Sequence, residues 1–212
     1  MIGADPIEAQ ERWWFLEDLI LFNNPRREAW EKTSRIISAL DLQPGRSVAD
    51  IGSGPGYYSF QFAERVGPSG RVYAIDINRR HHEYVADVVR EYGIPNIETV
   101  LSRPDDICLD TRVDLAFLCS LYHVLYAMSS QATRDGFVGS IRQALKPDGL
   151  LAVADNDIVA GNEIPYHGPR IARELIVAQL RHYGFELTAV RQFTPQRYVL
   201  MFKPDTRAPA GP

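Results

Sequence analysis

The sequence predicts an α/β domain in which parallel strands are joined by crossover helices, preceded by a short helical extension. Two observations carry this expectation. From residue 47 onward, strand-like runs alternate with helix-like segments, the rhythm that parallel βαβ units require. The first apolar run, VADI at 48–51, passes into three alternating glycines, GSGPG at 52–56, and then into YYSF. That is the form of a strand-to-helix turn where backbone must be approached closely.

The elements follow in order. Residues 7 to 22 place Trp13, Trp14, Leu16, Leu19, Ile20 and Phe22 at helical spacings before NNP breaks the pattern at 23–25. A second helix is expected from Arg26 to about Leu40, with Trp30, Ile36, Ile37 and Leu40 on one face, ended by QPG at 43–45. Strands are expected at Ser47–Ile51, Arg71–Asp76, Ile97–Leu101, Val113–Leu118 and Leu150–Asp155. Helices are expected at about 57–66, 79–92, 131–145 and 170–183, punctuated by GPSG, YGIPN and KPDG. Two alternating stretches, Glu186–Arg191 and Arg197–Lys203, joined by QFTPQ, read as a terminal β-hairpin. The tail PDTRAPAGP is expected to fray into solvent.

Composition narrows the field. A chain of 212 residues suits one domain with one sizeable core, and 45% hydrophobic with 24% charged residues argues against disorder. A net charge of −4 gives no general attraction to nucleic acid, which is not expected as a partner. No run is long and apolar enough for a membrane span, and the acid-bearing start shows no secretory signal, so a cytoplasmic protein is expected. Cys108 and Cys119 stand apart from any CxxC or Cys/His cluster, which suggests free thiols in a reducing compartment and no zinc site.

A glycine-rich turn at a helix start gathers backbone N–H groups at one point and can hold an anionic or polar ligand group. The spacing G-x-G-x-G at Gly52, Gly54 and Gly56 departs from the G-x-G-x-x-G of dinucleotide sites. Asp50 closes the first strand within reach of an ammonium group or ordered water. Asp76, at the end of the second strand, is placed to accept both hydroxyls of a ribose.

With these residues in view, the chain resembles the class I S-adenosylmethionine-dependent methyltransferases. VADIGSGPG is similar to that family's first motif, VYAIDIN to its second, VDLAFLCSLYH to its fourth, and LKPDGLLAVAD to the motif leading into strand five. The likeness covers roughly residues 26 to 203. It implies a Rossmann-like, doubly wound, seven-stranded and mostly parallel sheet whose last strand is antiparallel, with S-adenosylmethionine as cofactor. It further implies that Gly52, Ser53, Gly54 and Gly56 line the methionine part beside Asp50 and Cys119. Asp76 and Ile77 would hold the ribose side, and Asp105 or Asp106 of SRPDD would lie by the adenine.

Ligands gather at the carboxyl ends of strands in such sheets, so the acceptor side is expected just past strands four and five. The candidates for catalysis there are Ser120, Tyr122 and His123, followed by Asp155, Asn156 and Asp157. His123 is the most economical base because imidazole titrates near neutrality; packing at a helix start is its alternative. Tyr122 could orient an acceptor or fill the core, and His167 in PYHG could reach back over the pocket.

The ADND run invites a divalent cation, yet metal-dependent O-methyltransferases carry an aspartate where Cys119 and Ser120 stand here, so no metal is expected. The Pro-Cys of cytosine C5 methylation, the N-P-P-Y-type motif and the thiol set for arsenite are also missing. A small-molecule methyl acceptor, attacked through O, N or C, is therefore expected.

The chain divides on this reading into N-terminal helices over 1–40, a cofactor-binding domain over 41–204 and a tail over 205–212. The first part would form an aromatic lid built on Trp13, Trp14, Phe15 and Trp30, or an interface of a homodimer. Two alternatives to a small-molecule methyltransferase stay open: a non-catalytic cofactor-binding or scaffold protein, and a protein methyltransferase.

Overall fold

A computed structural model of the chain describes residues 15–17, 19–158 and 170–205. Trp13, Trp14 and His167 lie outside these residues. Residues 15–17 and 19–22 are helical. There follow, in chain order, α1 (Arg27–Glu31), α2 (Thr33–Ala39), β1 (Ser47–Ile51), α3 (Tyr57–Val66), β2 (Arg71–Asp76), α4 (Arg79–Glu91), β3 (Ile97–Leu101) and β4 (Val113–Cys119). The chain continues through α5 (Tyr122–Met128), α6 (Gln131–Ala144), β5 (Leu145–Asn156), α7 (Arg173–His182), β6 (Phe185–Thr194) and β7 (Arg197–Pro204).

The strands form one seven-stranded sheet in the order β3-β2-β1-β4-β5-β7-β6. The pairs among β3, β2, β1, β4 and β5 are parallel, and β7 runs antiparallel to both β5 and β6. Parallel strands need crossovers, and these cover both faces. Side chains alternate across a strand, so each central strand feeds two cores. Val48, Leu115, Phe117, Ala152 and Val199 meet Ile36, Tyr58, Phe62 and Val85 of α2, α3 and α4 on one face. Ala49, Ala116, Leu118, Val153 and Leu200 meet Tyr122, Phe137, Ile141 and Leu180 of α5, α6 and α7 on the other.

Three local departures from the expected elements have physical causes. The helix expected over Arg26 to Leu40 is broken in two, because Lys32 takes a left-handed conformation at φ 59°. The break lets α1 turn Arg27 and Glu31 inward while α2 buries Ile36. Strand β5 begins at Leu145, not at 150: Leu145 pairs with Val113, and the chain then bulges before Leu150 pairs with Leu115. Lys146 in that bulge donates to Asp114 at 2.8 Å, which ties the amino ends of β4 and β5 together. In the terminal hairpin, Gln192 and Thr194 still pair across to β7, so the turn shrinks to residues 195–196.

Candidate active site

The glycine turn is stitched to the second strand before it enters α3. Gly52 and Ser53 donate their N–H groups to the Ile75 carbonyl at 2.8 and 3.0 Å, and Gly56 caps α3 at φ 88°. Gly54 donates its N–H to Asp76 Oδ2 at 2.7 Å, while Asp76 Oδ1 accepts from the Asn78 N–H at 2.8 Å. The acid at the end of β2 thus fixes both its own turn and the glycine turn. A Cβ built on Gly54 would meet no atom within 4 Å, so this position opens directly onto empty space.

That space is a cleft of about 290 Å³ along the carboxyl ends of β1 and β4. Asp50, Gly52, Ser53, Gly54, Asp76, Ile77, Cys119 and Ser120 all line it, so eight of the expected site residues converge on one wall-to-wall space. A second cleft of about 410 Å³ shares Gly52, Asp76, Ile77 and Leu121 with it and runs on between Ser102–Pro104 and the apolar face of Val124, Leu125 and Met128. Together they make an elongated groove, with Asp50, Asp76 and Arg27 among the residues at the glycine end and Val124, Leu125 and Met128 at the other. A larger cleft of about 500 Å³ lies at the amino ends of the strands, against Arg46, Asp114 and Lys146, remote from the glycine turn.

Five of the expected residues lie off these walls. Gly56 is buried where α3 starts, near Phe60 and Val85. Asp106 turns back to Arg103 at 2.7 Å and to the Cys108 N–H at 2.8 Å, and Asp105 packs by its backbone on Gly136. Ser102, Arg103 and Pro104 take their place on the groove. The Tyr122 ring sits in the α5–α7 core with its hydroxyl donating to Gln179 at 3.0 Å. His123 is buried, its ring Nδ1 2.7 Å from Asp155 Oδ1 and its N–H donating to Asp155 Oδ2 at 3.1 Å. Strand parity explains this: Asp155 points to the same face as Val153, whereas Asp50, Cys119 and Asn156 point to the face of Phe117 and Ala154.

Burial dominates the electrostatics. It pushes the Asp50 carboxyl up to about 7, against the lowering effect of the Ser59 hydroxyl, which donates to it at 2.5 Å. Burial and the nearby Glu31 carboxylate push the Cys119 thiol up to about 12, which removes it as a nucleophile at neutral pH. Burial works against the ionised form of Glu31 as well, yet Arg197 and Arg27 beside it win and hold it at about 2.

This buried ionic cluster is the part of the site that sequence reading did not find. Arg27 pairs with Glu31 and stacks 4.2 Å over the Tyr57 ring. Glu31 also accepts from the Tyr58 hydroxyl at 2.8 Å and lies 3.3 Å from Arg197. Arg27 and Phe22 line the first cleft, so the N-terminal segment contributes to its wall. The spacing of Arg27 and Glu31 marks an i,i+4 pair, but nothing local links either to Arg197. Of the expected lid aromatics, Phe15 packs 6.0 Å from His81 and 5.8 Å from Tyr84. Among the described residues, no group of three or more His, Cys, Asp or Glu side chains is placed to hold a metal ion, and no helix is long and apolar enough to cross a membrane.

Comparison with known proteins bears on this geometry. Residues 42–190 match the family model described as a methyltransferase domain. A protein-L-isoaspartate O-methyltransferase of Aeropyrum pernix is 39% identical over 67 residues, which cover 32% of this chain and 26% of that protein. The ubiquinone/menaquinone biosynthesis C-methyltransferase UbiE of Cupriavidus metallidurans is 25% identical over 150 residues, covering 64% of this chain and 58% of its own. The chain spans less than two thirds of the length of either relative. The crystal structure of a SAM dependent methyltransferase from Aquifex aeolicus superposes with a TM-score of 0.74 at 23% identity, over 94% of this chain and 98% of that one. It shares the fold described above.

Proposed function

The chain belongs to the methyltransferase domain family, and from that premise we propose that it transfers a methyl group from S-adenosylmethionine to a small-molecule acceptor. The observation that carries this reading is the groove itself: an open glycine position, Gly54, shares one cleft with Asp50 and Asp76, and that cleft meets a second at Gly52, Asp76, Ile77 and Leu121. Its combined size falls in the range of small-molecule sites. The likeness to a quinone C-methyltransferase supports a small acceptor.

S-adenosylmethionine, when bound, supplies an electrophilic methyl group on a sulfonium. The chain's own residues hold, orient and exclude. Asp76, at the junction of the clefts, spends one lone pair of each oxygen on the Gly54 and Asn78 N–H groups and would take ribose hydroxyls on the others, and Ile77, Val124 and Met128 offer apolar surface to a flat ring. Asp50 faces the glycine end as a carboxyl that gains from a nearby cation. Phe22 and Arg27 of the N-terminal segment wall the same end beside Tyr57 and Tyr58 of α3, so that segment acts as a side of the pocket and shields it from water. In-line methyl transfer draws mainly on such positioning, with a base needed only where the acceptor must lose a proton.

Titration calorimetry with S-adenosylmethionine, S-adenosylhomocysteine and NAD tests the reading. Both adenosyl ligands should bind and NAD should not, and Asp76→Ala should weaken the adenosyl ligands by about 1.5–3 kcal/mol, the worth of hydrogen bonds to a charged group. A folded protein silent to both adenosyl ligands would leave a degenerate site and favour a scaffold role.

A further inference from the structure

The second cleft departs from the expectation that an acid lies by the adenine. The turn after β3 carries two carboxylates, and both are fastened away from the wall. Asp106 accepts from the Arg103 guanidinium on Oδ2 at 2.7 Å and from the Cys108 N–H on Oδ1 at 2.8 Å, while the Arg103 N–H donates to the Asp106 carbonyl at 2.8 Å and closes the turn. Asp105 is pressed against α6, where a Cβ on Gly136 would stand 2.7 Å from the Asp105 carbonyl oxygen and 3.3 Å from its Cβ. Glycine weakens a helix interior, so this close approach is what position 136 supplies. The Ile107 N–H, donating to Ser140 Oγ at 3.1 Å, ties the end of the turn to the same helix.

The polar residues left on the wall are Ser102, Arg103, Ser129, Ser130 and Thr133. Among the described residues that line this cleft the only carboxylate is Asp76, at the junction, where the ribose is read. Arg103 spends Nη2 on Asp106, its side chain is 66% exposed, and among the described residues no acceptor takes its other guanidinium N–H groups.

The apolar surface of Ile77, Val124 and Met128 can hold a purine by its face whatever its edge carries, since stacking tolerates every base. Edges are told apart by hydrogen bonds. Adenine shows a donor amine at position 6 beside the acceptor N7, whereas a 6-oxo purine shows two acceptors, the pattern that a guanidinium matches. A carboxylate only accepts and would select the amine; a hydroxyl does both, and a guanidinium only donates.

We propose that Arg103 faces the base and that this subsite does not select the 6-amino group, so the protein holds an inosyl ligand as well as the adenosyl one. The assignment rests on the cofactor reading above. Arg103 donates to N7 of the adenosyl ligand, and to N7 and O6 of the inosyl ligand, through the N–H groups that Asp106 leaves open.

Titration calorimetry of the wild-type protein with S-adenosylhomocysteine, S-inosylhomocysteine and the baseless S-ribosylhomocysteine is the test. The first two should bind within about threefold of each other, and the baseless ligand at least about tenfold more weakly. A larger preference for the adenosyl ligand overturns the proposal and leaves cofactor binding intact. Equal binding of all three would mean that the cleft does not hold the base, and also overturns it. Silence toward S-adenosylhomocysteine would remove the cofactor reading and this one with it.

Arg103→Glu sets an acceptor-only group on the wall and should weaken the inosyl ligand relative to the adenosyl one about tenfold. An unchanged ratio in that folded variant refutes the role of Arg103. Arg103→Gln, which both donates and accepts, should move the ratio less than about threefold. A shift as large as that of Arg103→Glu would trace the effect to the lost Asp106 pair and refute the role as well.

Discussion

Asp50 and His123 show how much a neighbour decides at the scale of one residue. The Asp50 carboxyl titrates at about 7 in the fold and near 3.8 in an unfolded chain. The unfolded chain therefore gives up that proton first, so stability falls as pH rises from about 4 to about 7 and is level above. Asp50→Asn should leave stability nearly unchanged at pH 4 and raise it at pH 8 by as much as about 4 kcal/mol, read from urea melts. The same variant should bind S-adenosylmethionine more weakly, since a neutral amide gives a sulfonium or ammonium no charge to face. Equal stability gains at both pH values would mean that the buried charge is not the cause.

His123 was an economical base on paper, and the structure seats it against Asp155 away from the groove walls. Removing the ring leaves the fully buried Asp155 side chain with only backbone donors, the N–H groups of residues 123 and 156. His123→Ala should thus cost about 3–5 kcal/mol of stability, with cofactor affinity and turnover falling together. A variant of unchanged stability that binds cofactor normally and fails only in turnover would restore the base.

At the scale of elements, α3 depends on the residue that starts it. Gly56 sits at φ 88°, and a Cβ there would stand 2.7 Å from Phe60 Cε2 and 3.1 Å from Val85 Cγ2. Gly56→Ala should cost about 2–4 kcal/mol from backbone strain and overpacking between α3 and α4, measured as a drop in the unfolding midpoint. A loss under ~1 kcal/mol would mean that the Phe60 ring simply moves aside.

Elements of this kind were legible in the sequence because their cause is local. Ser47–Ile51, Arg71–Asp76 and Ile97–Leu101 are strands with the bounds that apolar runs and breakers give them. The Lys32 break was not legible, since lysine carries no turn chemistry and only the pull of Glu31 and Arg27 toward the sheet requires it. The start of β5 was hidden for the opposite reason: KPDG does turn the chain, but Leu145 regains its partner Val113 before the turn. The site divides in the same way. Glycines and acids at strand ends were readable, whereas Asp106, pulled back onto Arg103, and the distant partnership of Glu31 with Arg197 depend on tertiary geometry.

The Glu31 cluster belongs to the scale of the whole molecule, because it joins the helices before the sheet to the strand that finishes it. Glu31 is held at about 2 against an ordinary 4.5, so its contribution is present above pH 4.5 and is lost as pH falls toward 2. Glu31→Ala would leave Arg27 and Arg197 buried together without their carboxylate and should cost about 3–5 kcal/mol at neutral pH. In urea titrations across pH, the gap between this variant and the wild type should close below pH 4.5. A gap independent of pH would show that packing, not charge, was lost.

The position of Arg197 at the start of β7 also divides the candidate site along the chain. The residues that line the two clefts lie between Phe22 and Phe137, whereas the guanidinium that reaches Glu31 and Ser120 comes from the antiparallel strand beside β5. Removal of the last hairpin would therefore keep every residue that lines the groove and still take away the cation that Ser120 and Glu31 share.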